Sequence, residues 1–339
     1  MDHFVDSIFI FLAFVTSFFF HYKFYKHEFI SIQDVPNYRS MHERPTKKSA
    51  GIIFIPIFLF YIWIYLIVNN VWNVLYIYFT IGLLFWCILG FLDDKYVYHS
   101  KKKILIELLV SIPVCFYWKQ EFQIFGLTFP AYIAPFLLGL YVIAVVNITN
   151  FMDGLDLYLT LTFYCAVFGL LFFFPISTHL KFTGYMLLAS LLGYVYFNKP
   201  IAKLFMGDAG SLPLGFVIAI FPFLIHSGSS KDFADLAICF LFLPVFITDG
   251  IATIIKRTYA KKNILHAHRE HLYQRISMDI WDKKVTTLVF SLANLPAYIL
   301  YKAFSNFGFS LKVSIIFLGL IYFSLYLFVD ILVSRKARY

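Results

Sequence analysis

Residues 74–94 read VLYIYFTIGLLFWCILGFLDD, a long uncharged run over 74–92 followed by two adjacent aspartates. A helix needs about 20 mostly apolar residues to cross the hydrocarbon core of a bilayer, whereas apolar runs of about 10 to 14 residues are typical of buried core helices. The segment therefore predicts a membrane-spanning helix whose acidic end lies at the bilayer surface.

The same pattern recurs along the whole chain. Of its 339 residues, 61% are hydrophobic and 14% are charged, against roughly a half and a quarter in soluble domains. No stretch is polar enough to fold by itself in water, which argues against a multidomain soluble protein. We predict an all-α polytopic integral membrane protein, with one transmembrane domain over residues 1–339. Eleven transmembrane helices are expected, at about 4–22, 50–68, 74–92, 104–118, 131–147, 157–174, 182–197, 211–225, 235–255, 285–301 and 313–333.

The distribution of Lys and Arg predicts the orientation, because cytoplasmic loops are enriched in both. With the N-terminus outside and the C-terminus in the cytoplasm, all but five of the 28 Lys and Arg residues lie on the cytoplasmic side. The net charge of +9 then follows from topology and from attraction to anionic lipid headgroups. It does not indicate a nucleic-acid partner. The five outer residues are Lys119, Lys181, Lys231, Lys302 and Lys312.

In this topology every unusual polar cluster faces the cytoplasm, which predicts one shared site. The first cluster, Asp93 and Asp94, ends the third span. A negative charge there meets the unfavourable end of the helix dipole, so the pair needs a compensating cation. Two carboxylates suit Mg²⁺ binding or proton abstraction, and the alternative is a pair of solvated boundary carboxylates.

A second cluster places Asn147, Asn150, Asp153 and Asp156 at intervals of three in an apolar stretch. On a continuous helix this spacing drifts by about 60° per step, so the four side chains cannot share one face. The pattern predicts that the helix ends or tightens near Gly154 and that the polar side chains turn into one pocket. A polar turn between spans would explain the residue types but not their regularity.

The third cluster is the short glycine-rich turn FMGDAGS at residues 205–211, which opens the eighth span. Its glycines let backbone N–H groups approach an oxyanion, and a helix N-terminus favours phosphate. Asp208 would be a further oxygen ligand for a metal. Many connecting loops share this pattern, so the turn has weight only beside the other clusters.

Two loops add basic residues. Residues 266–275 read HAHREHLYQR, and Arg269 can hold phosphate oxygens bidentately. His266 and His268 would suit zinc, but no Cys accompanies them, and the carboxylates and amides of the other clusters favour Mg²⁺. Residues 38–51 form a second basic loop on the same side.

Asp249 lies about seven residues inside the ninth span, counted from Lys256. An ionisable residue at that depth is a functional candidate by default. The alternative is a hydrogen-bond anchor between helices.

The order of these clusters resembles the polyprenyl-phosphate N-acetylhexosamine-1-phosphate transferases of glycosyltransferase family 4, which include the O-antigen initiators and the muramoyl-pentapeptide transferase. The likeness runs from an Arg-Ser-x-His-x-x-Pro-Thr motif at 39–46 to Arg275. The form of the 266–275 loop resembles the O-antigen-initiating branch more than the muramoyl branch.

The resemblance implies roles residue by residue. The implied catalytic residues are Asp93, Asp94, Lys103, Asp156 and Asp208. The implied metal ligands for Mg²⁺, or for Mn²⁺ in its place, are Asp208, Asn150 and Asp156. The implied substrate-binding residues are Asn147, Asn150, Asp153, Asn198, Phe205, Arg269, His271, His42 and Lys48. Departures from the family pattern are Lys47, Ser49 and Ala50 at positions often Pro or Gly, Leu157 for Gly, Glu107 for Gln, and Tyr273-Gln274 for a His pair.

The implied reaction converts UDP-N-acetylhexosamine and polyprenyl (undecaprenyl) phosphate to polyprenyl-diphospho-N-acetylhexosamine and UMP, the first membrane step of an O-antigen-like polysaccharide. Lys103 would place the lipid phosphate and Asp93 would keep it dianionic, with Asp94 sharing the base or metal role. Direct attack and a covalent route both remain open. The expected location is a bacterial inner (plasma) membrane, with the active site on the cytoplasmic face.

Two other readings remain open. One is the phospho-N-acetylmuramoyl-pentapeptide transferase of peptidoglycan synthesis. The other is a lipid or solute transporter, although transporters place ionisable groups near the midplane and often contain internal repeats. A scaffold without catalysis would leave the regular Asn and Asp series unexplained. The sequence does not identify the sugar, the polyprenol, the glycan or a homodimer.

Overall fold

The computed structural model describes residues 3–27, 32–38, 40–118, 122–130, 132–226, 234–263 and 268–336. The α-helices are α1 (His3–Lys26), α2 (Gly51–Val68), α3 (Val74–Tyr96), α4 (Ser100–Trp118), α5 (Ala134–Phe151), α6 (Tyr158–Phe173), α7 (Thr178–Asn198), α8 (Asp208–His226), α9 (Cys239–Phe242), α10 (Pro244–Tyr259), α11 (Leu272–Asp279), α12 (Lys283–Leu292), α13 (Leu295–Asn306) and α14 (Leu311–Lys336). A 3₁₀ helix, Leu236–Ile238, precedes α9.

The prediction of a helical, multi-pass membrane protein is confirmed. Within the described ranges, eight helical stretches are long and apolar enough to cross a membrane, and a bent pair of helices raises the number to nine. Each of the eleven predicted ranges overlaps a helix. However, α4 carries four charged residues and α6 is only 16 residues long. The count of eleven and the orientation therefore remain predictions, and two of the outer lysines, Lys119 and Lys231, lie outside the described residues.

The predicted ninth span is broken. The segments Leu236–Phe242 and Pro244–Tyr259 meet at an angle of 105°. Pro244 explains the break, because proline has no N–H to continue a helix and disfavours helical geometry in the residue before it. Leu243 accordingly leaves the helical region, with φ −134° and ψ 45°. The bend begins α10, the helix that carries Asp249.

Helix α8 lies at the centre of the bundle. In its most apolar 18-residue stretch 83% of the residues are buried, against 17% for α1. The absence of side chains on two residues of α3 permits close packing against α8: a Cβ on Gly82 would overlap the Phe216 ring, and one on Gly90 would overlap the backbone of Asp208. This approach brings the end of α3, with its aspartate pair, to the beginning of α8.

Short strands that the sequence analysis did not predict connect the loops. Strands β1 (Gln33–Asp34) and β2 (Thr46–Lys47) pair antiparallel, and Lys47 also forms a parallel bridge with Leu204. The first basic loop is thereby joined to the segment before α8. A second sheet has the order β4-β3-β5, formed by β3 (Phe122–Ile124), β4 (Leu127–Thr128) and β5 (Ala234–Asp235).

Candidate active site

One cavity of about 710 Å³ gathers the predicted site residues from helices and loops that are distant in sequence. These residues therefore lie together in the described structure, while their roles stay predictions. Two motif residues, Arg39 and His266, lie outside the described residues, and Arg269 contacts the neighbouring loop without lining the cavity. The predicted residues that line it are His42, Lys48, Asp93, Asp94, Lys103, Asn147, Asn150, Asp153, Asp156, Asn198, Phe205, Asp208 and His271.

Lys103 is the positive centre of the site. Its Nζ lies 2.8 Å from Oδ2 of Asp93 and also contacts Oδ2 of Asp208. Only 12% of the Lys103 side chain is exposed. An ammonium shared by two carboxylates offsets their mutual repulsion. Lys103 is therefore the cation that the end of α3 was expected to need.

Asp94 is fully engaged in holding the structure together. Its carboxylate accepts hydrogen bonds from Ser49 Oγ at 2.7 Å and from the backbone N–H groups of Asp208 and Ala209 at 3.2 and 3.3 Å. Lys48 Nζ lies 3.4 Å from its Oδ1. Asp94 therefore caps the N-terminus of α8 from another helix.

This cap corrects one expectation. The N–H groups at the beginning of α8 were expected to bind phosphate, but they donate to Asp94 instead. Gly207 permits the arrangement, since it has φ +67° and a Cβ there would overlap the Asp94 carboxylate. The glycines of this turn serve a carboxylate of the same chain.

The regular Asn and Asp series bends as its spacing predicted. Helix α5 ends at Phe151, and residues 152–157 form a loop before α6. The Tyr273 hydroxyl donates to the Phe151 carbonyl at 3.4 Å, and a Cβ on Gly154 would overlap that hydroxyl. At the end of the loop Leu157 adopts φ +62°. We refer to residues 152–157 as the acidic loop.

The two carboxylates of the acidic loop lack ion-pair partners within the described residues. The Asp153 carboxylate has neither a hydrogen-bond nor an ion-pair partner there, and burial, followed by Asp208, Asp94 and Asp156, raises its pKa to about 8. The Asp156 carboxylate accepts one hydrogen bond, from the Ala202 N–H at 3.1 Å. Burial also raises the pKa of Asp156, with Ala202 opposing the shift. The acidic loop thus has uncompensated acidic groups at the cavity wall.

The proposed metal ligands fit a divalent cation in part. Asn150 Nδ2 lies 3.4 Å from Asp208 Oδ2, and Asn150 Oδ1 accepts from Ser211 Oγ at 2.6 Å. A hydroxyl can donate or accept, so the amide can turn its oxygen towards Asp208, and carboxylate and amide oxygens suit Mg²⁺. No group of three His, Cys, Asp or Glu in the described part of the chain is placed to hold a metal. An ion here would therefore rely on Asp208, the Asn150 amide and the substrate phosphates.

Arg269 connects the two basic loops. Its guanidinium donates to the carbonyl oxygens of Ser40 at 2.8 Å and Asn37 at 3.3 Å. Because the guanidinium donates to these two backbone carbonyls, fewer of its N–H groups remain for bidentate phosphate binding.

The two histidines of the prediction line the cavity in different ways. His42 packs edge-on against Phe205, with ring centroids 4.9 Å apart, and its Nε2 lies 3.3 Å from the Asp34 carbonyl oxygen. His271 is buried, with Nδ1 3.4 Å from Asp249 Oδ1. Asp249 also accepts from the backbone N–H groups of Leu272 and Tyr273. Of the two readings of Asp249, the contacts favour the anchor, because it caps α11 and orients His271.

Asn198 is buried, and both polar atoms of its side chain bond to backbone groups. Its Oδ1 accepts from the Leu157 N–H at 2.8 Å and its Nδ2 donates to the Leu204 carbonyl at 2.9 Å. These bonds join the acidic loop to the segment before α8. Asn198 thus lines the cavity mainly as a support for its wall.

Sequence reasoning missed several cavity residues. Gln274 belongs to the basic loop, and Lys283, Lys284 and Thr287 lie at the beginning of α12. Only the charge of the lysines gives a signal in the sequence, and the same charge is expected of any cytoplasmic loop. Glu107, which bonds Asn147 at 2.7 Å, had a clearer signal, since an acidic residue inside an apolar span is a functional candidate.

The fold and the cavity define a multi-pass membrane protein with a polar site, rich in carboxylates and lysines, at the ends of its helices. Comparison with known proteins is more specific. The model of Glycosyl transferase family 4 matches residues 76–226, so this part of the chain is similar to that family.

Three relatives resemble most of the chain. A probable undecaprenyl-phosphate N-acetylglucosaminyl 1-phosphate transferase of Bacillus subtilis is 27% identical, over 76% of this chain and 74% of the relative. A phospho-N-acetylmuramoyl-pentapeptide-transferase of Fervidobacterium nodosum is 28% identical, over 66% and 73%. An undecaprenyl-phosphate alpha-N-acetylglucosaminyl 1-phosphate transferase of Thermotoga maritima is 26% identical, over 73% and 75%.

Proposed function

We propose that this protein transfers N-acetylhexosamine 1-phosphate from a UDP-sugar to undecaprenyl phosphate and releases UMP. Two relatives that match about three quarters of the chain are named undecaprenyl-phosphate N-acetylglucosaminyl 1-phosphate transferases, one of them as probable. The observation that carries the proposal is the single cavity in which Lys103 lies between Asp93 and Asp208 at the ends of apolar helices. Such a site can receive a water-soluble nucleotide and the phosphate of a lipid whose tail stays in the bilayer.

The chemistry requires positioning more than covalent help from the protein. An oxygen of the lipid phosphate attacks the β-phosphorus of the UDP-sugar and forms the new P–O bond. The bond from that phosphorus to the bridging oxygen breaks, and UMP leaves with its electrons. Lys103 would hold the lipid phosphate, and Asp93 would accept its proton when it enters as a monoanion.

Mg²⁺, or Mn²⁺ in its place, belongs to the proposal. Asp208 and the Asn150 amide would hold the ion, with Asp156 as a further candidate on the acidic loop. A bound divalent cation would neutralise charge on the two phosphates of the donor and on departing UMP. Asp153 has no cation partner in the described structure, so its carboxyl group is free to respond to an ion or to substrate.

The direct test is UMP release by purified protein in detergent with a UDP-sugar, undecaprenyl phosphate and Mg²⁺. We expect UMP only when both substrates are present and far less from Asp208→Asn. UMP formed without the lipid would indicate a hydrolase. If no UDP-sugar yields UMP and the same protein transports a solute or lipid in vesicles, the result supports the transporter reading.

A second candidate is suggested by the relatives named phospho-N-acetylmuramoyl-pentapeptide-transferase. One of them, from Listeria monocytogenes, is 34% identical over 161 residues but covers only 41% of this chain. A panel of UDP-N-acetylglucosamine, UDP-N-acetylgalactosamine, UDP-N-acetylfucosamine and UDP-N-acetylmuramoyl-pentapeptide separates the two. We expect turnover with one of the simple amino sugars.

We also propose that the cavity faces the cytoplasm and that the membrane is a bacterial plasma membrane. Most basic residues border this side, including Lys283 and Lys284 at the cavity mouth, as expected for cytoplasmic loops. A cysteine placed at exposed Lys284 should react with a membrane-impermeant thiol reagent only after the cells are opened. Reaction in intact cells would reverse the orientation.

A further inference from the structure

Glu107 is a buried acidic residue that the proposed reaction does not use. It lies on α4, one helical turn after Lys103, with no exposed surface. Its Oε2 accepts a hydrogen bond from Asn147 Nδ2 at 2.7 Å, and its Oε1 has no hydrogen-bond partner within the described residues. A buried carboxyl group with one unbonded oxygen is costly to fold, which suggests that its remaining contact has a function.

That contact fixes the orientation of Asn147. The amide nitrogen donates both to Glu107 and to the Ile143 carbonyl oxygen at 3.0 Å. A backbone carbonyl can only accept, so the nitrogen must face Ile143, and the amide oxygen then faces away. Asn147 lines the cavity. Its Oδ1, which has no partner in the described part of the chain, is the atom left to meet a substrate.

An amide oxygen facing the cavity selects the chemistry of its partner. It repels phosphate oxygens and accepts from hydroxyl or N–H groups. Dianionic polyprenyl phosphate has no such donor, whereas a UDP-N-acetylhexosamine has hydroxyl groups and amide N–H groups. We propose that Glu107 is a positioning residue that holds Asn147 so that its carbonyl oxygen accepts a hydrogen bond from the nucleotide sugar. This inference rests on the proposed function.

The role of Glu107 comes from hydrogen-bond geometry rather than from charge. The nearest cation along its own helix, Lys103, is already shared by Asp93 and Asp208. No ion pair joins Glu107 to a cation among the described residues. A glutamine carbonyl can accept the same bond from Asn147, so Glu107→Gln should preserve the function. Glu107→Ala would leave the Ile143 carbonyl as the acceptor that orients the amide in the described structure, and so would weaken the hold on its orientation.

The test is steady-state kinetics with separate KM values for the UDP-sugar and for undecaprenyl phosphate. We expect Glu107→Ala to raise the KM for the UDP-sugar by up to about tenfold, the effect of one hydrogen bond, with the KM for the lipid unchanged. Glu107→Gln should stay within about twofold of wild type. In an Asn147→Ala background, Glu107→Ala should add little, because the two residues act as one unit.

Ser111→Ala is the matched control. Ser111 lies one turn further along α4, is also buried, and has an Oγ without a hydrogen-bond partner in the described residues. It should leave both KM values unchanged. A similar loss in this variant would mean that any change in α4 disturbs the enzyme, and the inference would fall.

Three other results would overturn the inference. Equal losses from Glu107→Gln and Glu107→Ala would show that charge matters. A higher KM for the lipid alone would place Asn147 at the other substrate, and a higher Mg²⁺ requirement alone would make it a metal ligand. If wild-type protein releases no UMP, the proposed function itself fails; if it does, these variants judge Glu107 alone.

Discussion

The carboxylates on the two sides of the cavity differ in how their charge is balanced. One group lies at the C-terminal end of α3 and the beginning of α8, where lysines and N–H groups bind its carboxylates. It consists of Asp93, Asp94 and Asp208. Asp153 and Asp156, on the acidic loop, have no ion pair within the described residues. The first group is complete without substrate, whereas the second has acidic groups that a cation or a hydrogen-bond donor would satisfy.

This difference suggests a division of labour. The α3 and α8 side provides a preorganised frame in which Lys103 is held for a phosphate. Preorganised charges need little rearrangement during the reaction. The acidic loop is the side expected to respond when ligands enter. The predictions below test this division, from the largest effect to the smallest.

Asp208→Asn should reduce sugar 1-phosphate transfer by roughly a hundredfold or more, as expected when a group that acts on transferring phosphate charge is removed. The fold should survive, because Asp94 rather than the Asp208 side chain caps α8. UMP release and the unfolding temperature measure the two effects. Asp279→Asn, which alters an exposed aspartate at the end of α11, is the control. Near-normal turnover in Asp208→Asn would remove it from the site.

Asp94→Ala should destabilise the protein by about 2 kcal/mol, because it leaves the N–H groups of Asp208 and Ala209 and the Ser49 hydroxyl without their acceptor. Asp94→Asn keeps one acceptor oxygen and should lose less. Thermal unfolding in detergent gives the comparison. An unchanged unfolding temperature in Asp94→Ala would contradict the role of Asp94 as a helix cap.

Asp153→Asn should make the protein more stable at neutral pH in the absence of divalent cations. The pKa of Asp153 is raised from 3.8 to about 8 in the folded protein, so the folded state retains a proton that the unfolded chain releases. Folding stability contributed by this group is therefore lost as pH rises from about 4 to about 8.

The measurement is the unfolding temperature of Asp153→Asn and wild type across this pH range. The advantage of the variant should grow from about pH 4, exceed about 1 kcal/mol at pH 7, and level off above about pH 8. A pH-independent difference would mean that Asp153 is already ionised and paired in the folded protein.

Leu157→Gly should be more stable than Leu157→Ala by about 1 kcal/mol. Leu157 has φ +62°, a conformation that costs a residue with a Cβ about 1 kcal/mol or more and costs glycine almost nothing. Comparing glycine with alanine removes the contribution of the leucine side chain. Equal unfolding temperatures would show that the end of the acidic loop is not strained.

Much of this organisation was predictable from the sequence. Apolar runs of bilayer length located the helices, and the positive loops placed the clusters on one face, so their meeting in one cavity followed. The spacing from Asn147 to Asp156 also predicted the end of α5. These features depend on local pattern and on the bilayer, both of which are visible in a single sequence.

The roles of individual polar residues were harder to predict, because they depend on contacts between distant segments. Asp94 caps a helix that begins 114 residues later, and only the close packing at Gly90 and Gly207 makes this possible. Asp249 caps α11 in a similar way. The bend at Leu243 had a signal in Pro244, but the hydropathy of the segment outweighed it.

The central claim is that a sugar and its phosphate move together from the nucleotide to the lipid at this cavity. The most direct measurement uses a UDP-sugar labelled with ³²P in the β-phosphate, together with undecaprenyl phosphate. The account predicts that the label enters the lipid fraction in equal amount to unlabelled UMP released, and that Asp208→Asn prevents both. The account would be contradicted if the label stayed in water-soluble UDP while the sugar entered the lipid. It would also be contradicted if the label never left the nucleotide sugar.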